Sequence, residues 1–175
     1  MQVEEATAIV LDTGALLAKY YRLLPRRRVE LYTSTSNVDE VIDLENKQAL
    51  EEAINLGLVK VVKPEKKYVE KATAIASSTG SIHKLSRTDI DVAALALQLV
   101  DNGANVVVIT DDYELQNLLR SVGISFKPLR TTGIRALKLY RSFCPVCGYV
   151  PSSPSENICP LCGSKIIRKV TRVKE

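Results

Sequence analysis

Several acidic residues stand at places in the chain where a metal-dependent reaction can be built. Asp12 follows the apolar run of residues 8–11, and Asp111 and Asp112 follow the apolar run of residues 106–110. Side chains directly after neighbouring parallel strands open onto the same edge of a sheet, so these acids can converge. Asp12 taken alone is better explained as a helix N-cap, and it is the repetition of the pattern that indicates a site.

Two further acids are identified by helical phase and position. At about 100° per residue, Asp89 falls on the apolar stripe of a helix over residues 88–102 and should face inward, while Asp91 should face solvent. Glu40 borders the apolar side of a helix that begins near Asn37. Both Asp89 and Glu40 are therefore expected to join the acids at the strand ends.

Carboxylates gathered in one cleft repel each other and have raised pKa values unless a cation joins them. The sole histidine, His83, is expected at the surface and offers no partner for a zinc or iron site. Carboxylate oxygens instead suit Mg²⁺ or Mn²⁺, which activate water and neutralise the charge that develops on a phosphate. The pattern favours metal-dependent phosphodiester hydrolysis over the alternative, in which the acids are separate caps and surface residues.

All four cysteines lie in the last 32 residues, in two near-identical knuckles: Cys144, Cys147, Cys159 and Cys162. A two-residue gap lets both thiolates of a knuckle turn toward one ion, and two knuckles complete a tetrahedral Cys₄ zinc site. Four protein ligands close the site, so a single structural zinc is expected, with Phe143, Tyr149 and Ile158 in the small core around it. Disulfides are disfavoured because the sequence predicts a cytosolic protein.

The charge of the chain is uneven. Residues 1–130 carry 16 Lys and Arg against 18 Asp and Glu, a balance of −2, whereas residues 131–175 carry 8 against 2, a balance of +6. A basic tail behind a slightly acidic domain is typical of a segment that meets nucleic acid, with Tyr140 or Tyr149 available for base stacking. The candidate RNA contacts are Arg135, Lys138, Arg141, Lys165, Arg168 and Lys169. The alternative is a solvated hairpin that serves only protein contacts.

Strands alternating with helices predict a three-layer α/β/α domain with a mainly parallel sheet over residues 1–128. A linker over residues 129–138 then leads into a small β-rich zinc ribbon over residues 139–175. No apolar run reaches the roughly 18 to 20 residues that span a bilayer, and the acidic start lacks the basic and apolar regions of a secretory signal. The sequence therefore predicts a cytoplasmic protein without a membrane partner.

Four motifs follow one another along the chain: Val10-Leu11-Asp12-Thr13, Val38-Asp39-Glu40, Leu85-Ser86-Arg87-Thr88-Asp89 and Ile109-Thr110-Asp111-Asp112. Their order resembles that of the PIN domain ribonucleases, and the resemblance extends from residue 6 to residue 127. In that family a cluster of acids binds Mg²⁺ or Mn²⁺ and cuts single-stranded RNA. The resemblance implies the metal-binding and catalytic role for Asp12, Glu40, Asp89 and Asp112, with Asp111 left open as a substitute for Asp112.

A PIN-like domain followed by a zinc ribbon is similar to archaeal ribosome-biogenesis endonucleases that mature the 3′ end of small-subunit ribosomal RNA. This resemblance, which includes residues 112–117, implies single-stranded precursor ribosomal RNA and the small ribosomal subunit as partners, with assembly-factor proteins beside them. Two alternatives stay open. One is a PIN toxin of the VapC kind, for which a ribbon is an unusual addition, and the other is a non-catalytic RNA-binding assembly factor in which the acids are structural.

Overall fold

The computed structural model describes residues 6–24, 27–134, 136–153 and 155–174, with side chains up to residue 171. The strands of its N-terminal sheet are β1 (Thr7–Leu11), β2 (Val29–Ser34), β3 (Lys60–Val62), β4 (Asn105–Ile109) and β5 (Ser125–Lys127). They lie in the order β3-β2-β1-β4-β5, and every neighbouring pair is parallel. The apolar runs of β1 and β4 are largely buried at the centre of this sheet, as parallel strands covered on both faces require.

Helices cover both faces of the sheet: α1 (Thr13–Leu17), α2 (Thr35–Asp39), α3 (Leu44–Asn55), α4 (Lys66–Ser78), α5 (Arg87–Asp101) and α6 (Tyr113–Ser121). Val10 and Val108 pack into a core with α4, α5 and α6 on one face, whereas Leu11 and Ile109 pack into a second core with α1 and α3 on the other. The predicted three-layer α/β/α fold is confirmed. Within the described residues, no helix is both long enough and apolar enough to span a bilayer.

The helices that follow β1 and β2 are short, with five residues each. A 3₁₀ helix (Tyr20–Arg22) follows α1, because the backbone at Lys19 turns to a φ of 51° and ends the α-helix. The next helix, α2, begins at Thr35 and stops at Asp39, so Glu40 is its C-cap and not an interior residue. This places the Glu40 side chain at the end of the helix, where it reaches neighbouring elements.

The second unit consists of two antiparallel strands, β6 (Leu137–Phe143) and β7 (Ile167–Lys174), with the cysteine knuckles between them. This confirms a small β-rich unit after the sheet domain. The prediction that Ile158 fills its core is wrong, since that side chain is 59% exposed. Among the described residues of this unit, the buried side chains are those of Cys144 and Cys159.

The two units are in contact through α6. Within residues 129–138, predicted as a linker, Ile134 and Lys138 form hydrogen bonds with side chains of this helix. The Gln116 side-chain oxygen accepts a hydrogen bond from the N–H of Ile134 at 2.9 Å. The Asn117 side chain bonds both the N–H and the C=O of Lys138, each at 2.8 Å. Because β6 begins at Leu137, Lys138 is already part of this strand, and the backbone groups of Ile134 and Lys138 find partners in the sheet domain.

Candidate active site and cysteine cluster

The predicted acids lie at the switch point of the sheet. The chain winds outward from β1 to β2 and β3 on one side and from β4 to β5 on the other, so a cleft opens beyond the ends of β1 and β4. Leu11 and Ile109 are register partners at these ends, and the N–H of Asp12 donates to the C=O of Ile109 at 3.3 Å. Asp12 therefore faces the loop that carries Asp111 and Asp112.

Asp12 is half-buried and also caps α1. Its Oδ1 accepts the N–H of Ala15 at 2.7 Å. Burial raises the pKa of Asp12 above its ordinary value, against the lowering effect of hydrogen bonds from the Thr110 hydroxyl and Ala15, and the negative charges of Asp111 and Asp89 raise it further. The carboxylate of Asp12 thus lies in a field of like charge.

Asp89 faces the same cleft from the first turn of α5. It forms a capping box with Ser86, whose N–H and hydroxyl donate to Oδ2 at 2.8 and 2.7 Å. Burial raises the pKa of Asp89 despite the hydrogen bonds from Ser86, and the charges of Asp112 and Glu40 add to the rise. Asp91, predicted to face solvent, is instead half-buried and accepts a hydrogen bond from the Ser36 hydroxyl at 2.8 Å.

Two threonine hydroxyls hold the carboxylate of Glu40. Thr13 donates to Oε2 at 2.5 Å, and Thr88 donates to Oε1 at 2.5 Å. The buried Asn37 amide in turn donates to the hydroxyl of Thr13 at 3.0 Å. The residues that position Glu40 were not identified from the sequence, although both threonines stand inside the quoted motifs directly beside Asp12 and Asp89.

Asp111 and Asp112 have different partners. Asp112 is exposed, caps α6 through the N–H of Leu115 at 2.7 Å, and donates its own N–H to the Thr110 hydroxyl. Asp111 turns the other way and accepts the N–H groups of residues 129–131 on one oxygen, at 2.8 to 3.3 Å. Burial opposes them, but these donors hold the pKa of Asp111 below its ordinary value. Asp111 therefore anchors the segment that follows β5.

The acids act on one another through their charges, and their carboxylates form no direct hydrogen bonds with each other among the described residues. Asp89 interacts with Asp112 and Glu40, and Asp12 interacts with Asp89. Within the described part of the chain, only the cysteine thiols come close enough together, within 4.8 Å, to form a compact ligand set. A wider carboxylate set suits Mg²⁺, which keeps several waters and binds directly to one or two carboxylates.

The carboxylate oxygens that take no part in helix capping also fit a hard cation. Asp89 uses Oδ2 for its cap and Asp112 uses Oδ1, so the second oxygen of each accepts no hydrogen bond from the described residues. Burial is the main cause of the raised pKa values of Asp12 and Asp89, and a cation at this place would compensate the repulsion that adds to it. The donor set thus has the chemistry of a Mg²⁺ or Mn²⁺ site.

The four cysteines form a compact sulfur cluster. Sγ of Cys144 lies 3.4 Å from that of Cys162, and Sγ of Cys147 lies 3.5 Å from that of Cys159. Both knuckles use the same turn, in which Gly148 donates to Cys144 O at 3.0 Å and Gly163 donates to Cys159 O at 2.9 Å. Without a metal the thiols share their protons unequally. Hydrogen bonds from the hydroxyl and backbone of Ser164 lower the pKa of Cys162 to about 6. Against the lowering effect of the Tyr149 backbone, hydrogen bonds with the other cysteines raise the pKa of Cys147 to about 12. Four sulfur ligands in this arrangement fit a closed metal site.

The predicted basic contacts fall into two groups. Four of them are exposed: Lys138, Arg141, Lys165 and Lys169. Arg135 lies outside the described residues. Arg168 is turned inward, where its Nε donates to the C=O of Gly80 at 2.8 Å and its guanidinium lies 3.6 Å from the Tyr140 ring centre and 3.5 Å from Glu114. Arg168 therefore joins β7 to the sheet domain.

Residues 9–99 match the family described as the PIN domain of ribonuclease. Several archaeal relatives named Endoribonuclease Nob1 are 30% to 38% identical. The one from Methanothermobacter thermautotrophicus is 37% identical over 161 residues, which is 91% of each chain. Ribonuclease VapC3 of Aeropyrum pernix is 39% identical over 72% of this chain and 88% of its own.

A eukaryotic relative is similar over a shorter part. The 20S-pre-rRNA D-site endonuclease NOB1 of Saccharomyces cerevisiae is 28% identical over 98 residues, 56% of this chain and 21% of its own. The fold, the acids at the switch point and these similarities define a ribonuclease of the PIN class. The chain belongs to the PIN domain ribonuclease family and, within it, to the Nob1 endoribonucleases.

Proposed function

We propose that this chain is a metal-dependent endoribonuclease that cleaves precursor small-subunit ribosomal RNA at its 3′ end during ribosome biogenesis. The observation that supports the proposal is the proximity of four acids: Thr13 beside Asp12 and Thr88 beside Asp89 both donate to Glu40, and the charges of Asp112 and Glu40 add to the raised pKa of Asp89. The names of the archaeal relatives and of the yeast pre-rRNA endonuclease support the reaction and the substrate.

In this proposal the four acids would hold Mg²⁺ or Mn²⁺, and the bound ion would supply activation of water and neutralisation of charge on the scissile phosphate. The residues of the chain orient this set. Helix caps fix Asp12, Asp89 and Asp112, and the hydroxyls of Thr13 and Thr88 fix Glu40. Hydrogen bonds from residues 129–131 occupy one oxygen of Asp111, which supports Asp112 as the proposed ligand at the end of β4.

The second unit serves RNA binding. One zinc ion, held by the four cysteines, keeps the ribbon folded, since a closed Cys₄ site contributes directly to folding. Exposed cations meet RNA phosphates: Lys138, Arg141, Lys165 and Lys169. Arg168 contributes by holding the ribbon in place, and Arg135 is a further candidate contact from the sequence. The small ribosomal subunit and assembly-factor proteins in the cytoplasm are the expected surroundings.

Residues 1–128 act as the nuclease domain, 129–138 as the connection and 139–175 as the ribbon. The similarity to VapC3 favours a second candidate, a PIN toxin ribonuclease with a different RNA substrate. A non-catalytic assembly factor is a third, in which the acids serve only as caps. These candidates differ in whether RNA is cut and in which RNA is cut.

The test uses RNA spanning the mature 3′ junction and a second RNA of the same length and composition in permuted order. In Mn²⁺, we expect the parent to cut the junction RNA at one position and to leave the permuted RNA largely intact, with Asp112→Asn inactive on both. Equal cutting of both RNAs supports the toxin candidate. Binding of the junction RNA without cleavage by the parent supports the assembly factor.

A further inference from the structure

A groove opens beside the acid cluster, between the start of α6 and the start of β6. Its volume is about 400 Å³, within the range of small-molecule sites, and its walls include Tyr113, Ile134, Ala136, Lys138 and Tyr140. We propose that this groove stacks a base of the single-stranded RNA next to the cleaved phosphate. The inference rests on the proposed function and adds a subsite to it.

The position of Tyr113 links the groove to the site. Tyr113 directly follows Asp112, it is the first residue of α6, and its side chain is 51% exposed. A phosphate held at the acids therefore has the next nucleotide within reach of this ring. An exposed aromatic residue adjoining a cluster of carboxylates is well placed to carry a base while the acids act on the backbone.

Two polar side chains on the groove walls, Glu114 and Asn117, already have partners inside the protein. Glu114 accepts the hydroxyl of Ser81 at 3.0 Å and lies 3.5 Å from the guanidinium of Arg168. Asn117 uses its amide on the backbone of Lys138. The groove thus offers rings and apolar side chains, which suit stacking on any base and not hydrogen-bonded reading of one base.

The charge of the groove suits RNA over an apolar peptide. Lys138 is an exposed residue of the groove wall, and its backbone is fixed by Asn117, so the groove that contains Tyr113 also contains a cation. Arg168 already lies over the ring of Tyr140, so Tyr113 is the ring available to a base. Single-stranded RNA presents a phosphate with every base, and proteins bind it with cations beside aromatic side chains. Lys138 therefore has a phosphate to neutralise when a base enters the groove.

The test is equilibrium binding of labelled single-stranded junction RNA without Mg²⁺ or Mn²⁺, so that no cleavage intervenes. A series of RNAs carries one abasic nucleotide at each position in turn. For the parent, we expect one abasic position to weaken binding about tenfold. Tyr113→Ala should bind the intact RNA about tenfold more weakly and lose its sensitivity to that position. Tyr113→Phe, which keeps the ring, should resemble the parent.

Leu56→Ala, at a side chain that is 73% exposed at the end of α3, is the control and should bind as the parent does. If Tyr113→Ala binds the intact RNA and every abasic RNA with the affinities of the parent, the inference is overturned, and a protein partner becomes the better candidate for the groove. Cleavage by the parent in Mn²⁺ is measured in parallel. Its absence would overturn the proposed function, while the abasic profile still decides whether the groove binds a base.

Discussion

The hydroxyl of Thr88 donates a hydrogen bond of 2.5 Å to Oε1 of Glu40, across 48 residues of sequence. This bond joins the first turn of α5 to the end of α2. With the bond from Thr13, it fixes both oxygens of an exposed carboxylate that otherwise has several rotamers available. The place of Glu40 in the site therefore depends on neighbours that bind no metal themselves.

Thr88→Val removes the hydroxyl and keeps the shape of the side chain. Because partners that orient metal ligands contribute strongly to metal affinity, we expect Mn²⁺ affinity to fall by about 10- to 100-fold. Electron paramagnetic resonance of free Mn²⁺ measures this directly. Thr73→Val is the control, since the Thr73 hydroxyl bonds the C=O of Val69 within α4. Equal Mn²⁺ affinities of Thr88→Val and Thr73→Val would show that Thr88 does not position a metal ligand.

The raised pKa of Asp12 has a consequence for stability. Burial raises this pKa, and like charges from Asp111 and Asp89 add to it. The folded-state pKa is above the unfolded value, so the contribution to stability is full below the unfolded pKa and is lost as pH rises through the folded pKa. At neutral pH without Mg²⁺ or Mn²⁺, the charged form of Asp12 therefore destabilises the fold.

Asp12→Asn keeps a capping side chain and removes this charge. Its melting temperature at neutral pH, with zinc retained and no other metal, should exceed that of the parent by about 2–4 °C, the shift that about 1 kcal/mol makes at this size. The difference should shrink as pH falls through the raised pKa, and added Mn²⁺ should stabilise the parent more. A lower melting temperature of Asp12→Asn at every pH would contradict this account.

Gly80 lies against the ribbon at a φ of 71°, and a Cβ there would stand 2.5 Å from the C=O oxygen of Tyr140. Gly57 has a similar φ of 67° but open space around it. Gly57→Ala should therefore lower the free energy of unfolding only by the strain of a left-handed backbone, about 1–2 kcal/mol. Gly80→Ala should in addition loosen the hydrogen bond from Tyr140 N–H to Thr79 O. Amide exchange at Tyr140 measures this, and equal exchange in both variants would show that the close approach is unimportant.

The cysteine cluster should hold one zinc ion per purified, reduced chain. Cys162→Ser should lose that zinc and expose β6 and β7 to protease, because a closed metal site stabilises a unit with few buried side chains. The sheet domain should keep its circular dichroism. Val146→Ser, at a knuckle side chain that is 71% exposed, should retain the metal. Full zinc content in Cys162→Ser would exclude Cys162 as a ligand.

The sequence was sufficient for features that repeat along the chain or act locally. Apolar runs ending in acids located β1 and β4, and parallel-strand geometry then predicted that Asp12 can converge with the Asp111-Asp112 pair, where the charge of Asp111 does act on Asp12. Helical phase placed Asp89 inward, as its burial and its interaction with Asp112 show. Cysteine spacing predicted the sulfur cluster, because two-residue gaps constrain the thiols whatever the rest of the chain does.

The remaining features depend on contacts distant in sequence, which no local pattern encodes. The Thr88 bond to Glu40 and the contacts of Arg168 with Gly80 and Glu114 are of this kind. Helical phase assigned Asp91 to solvent because it takes no account of Ser36 on a neighbouring helix. Arg168, from its charge alone, was predicted to contact RNA, and the partners that draw it inward appear only in the folded chain.

The most direct test of the metal-dependent nuclease site is the single-turnover cleavage rate of junction RNA in saturating Mn²⁺ for Asp12→Asn against Asp39→Asn. Asp39 is an exposed carboxylate adjoining Glu40, so its variant removes the same charge nearby. We predict the parental rate for Asp39→Asn and a rate lowered by more than about a hundredfold for Asp12→Asn. Mutation of residues that only orient a metal ligand already lowers metal affinity or activity by about 10- to 100-fold, so loss of a ligand should have a larger effect. Equal rates for the two variants would contradict the assignment of Asp12.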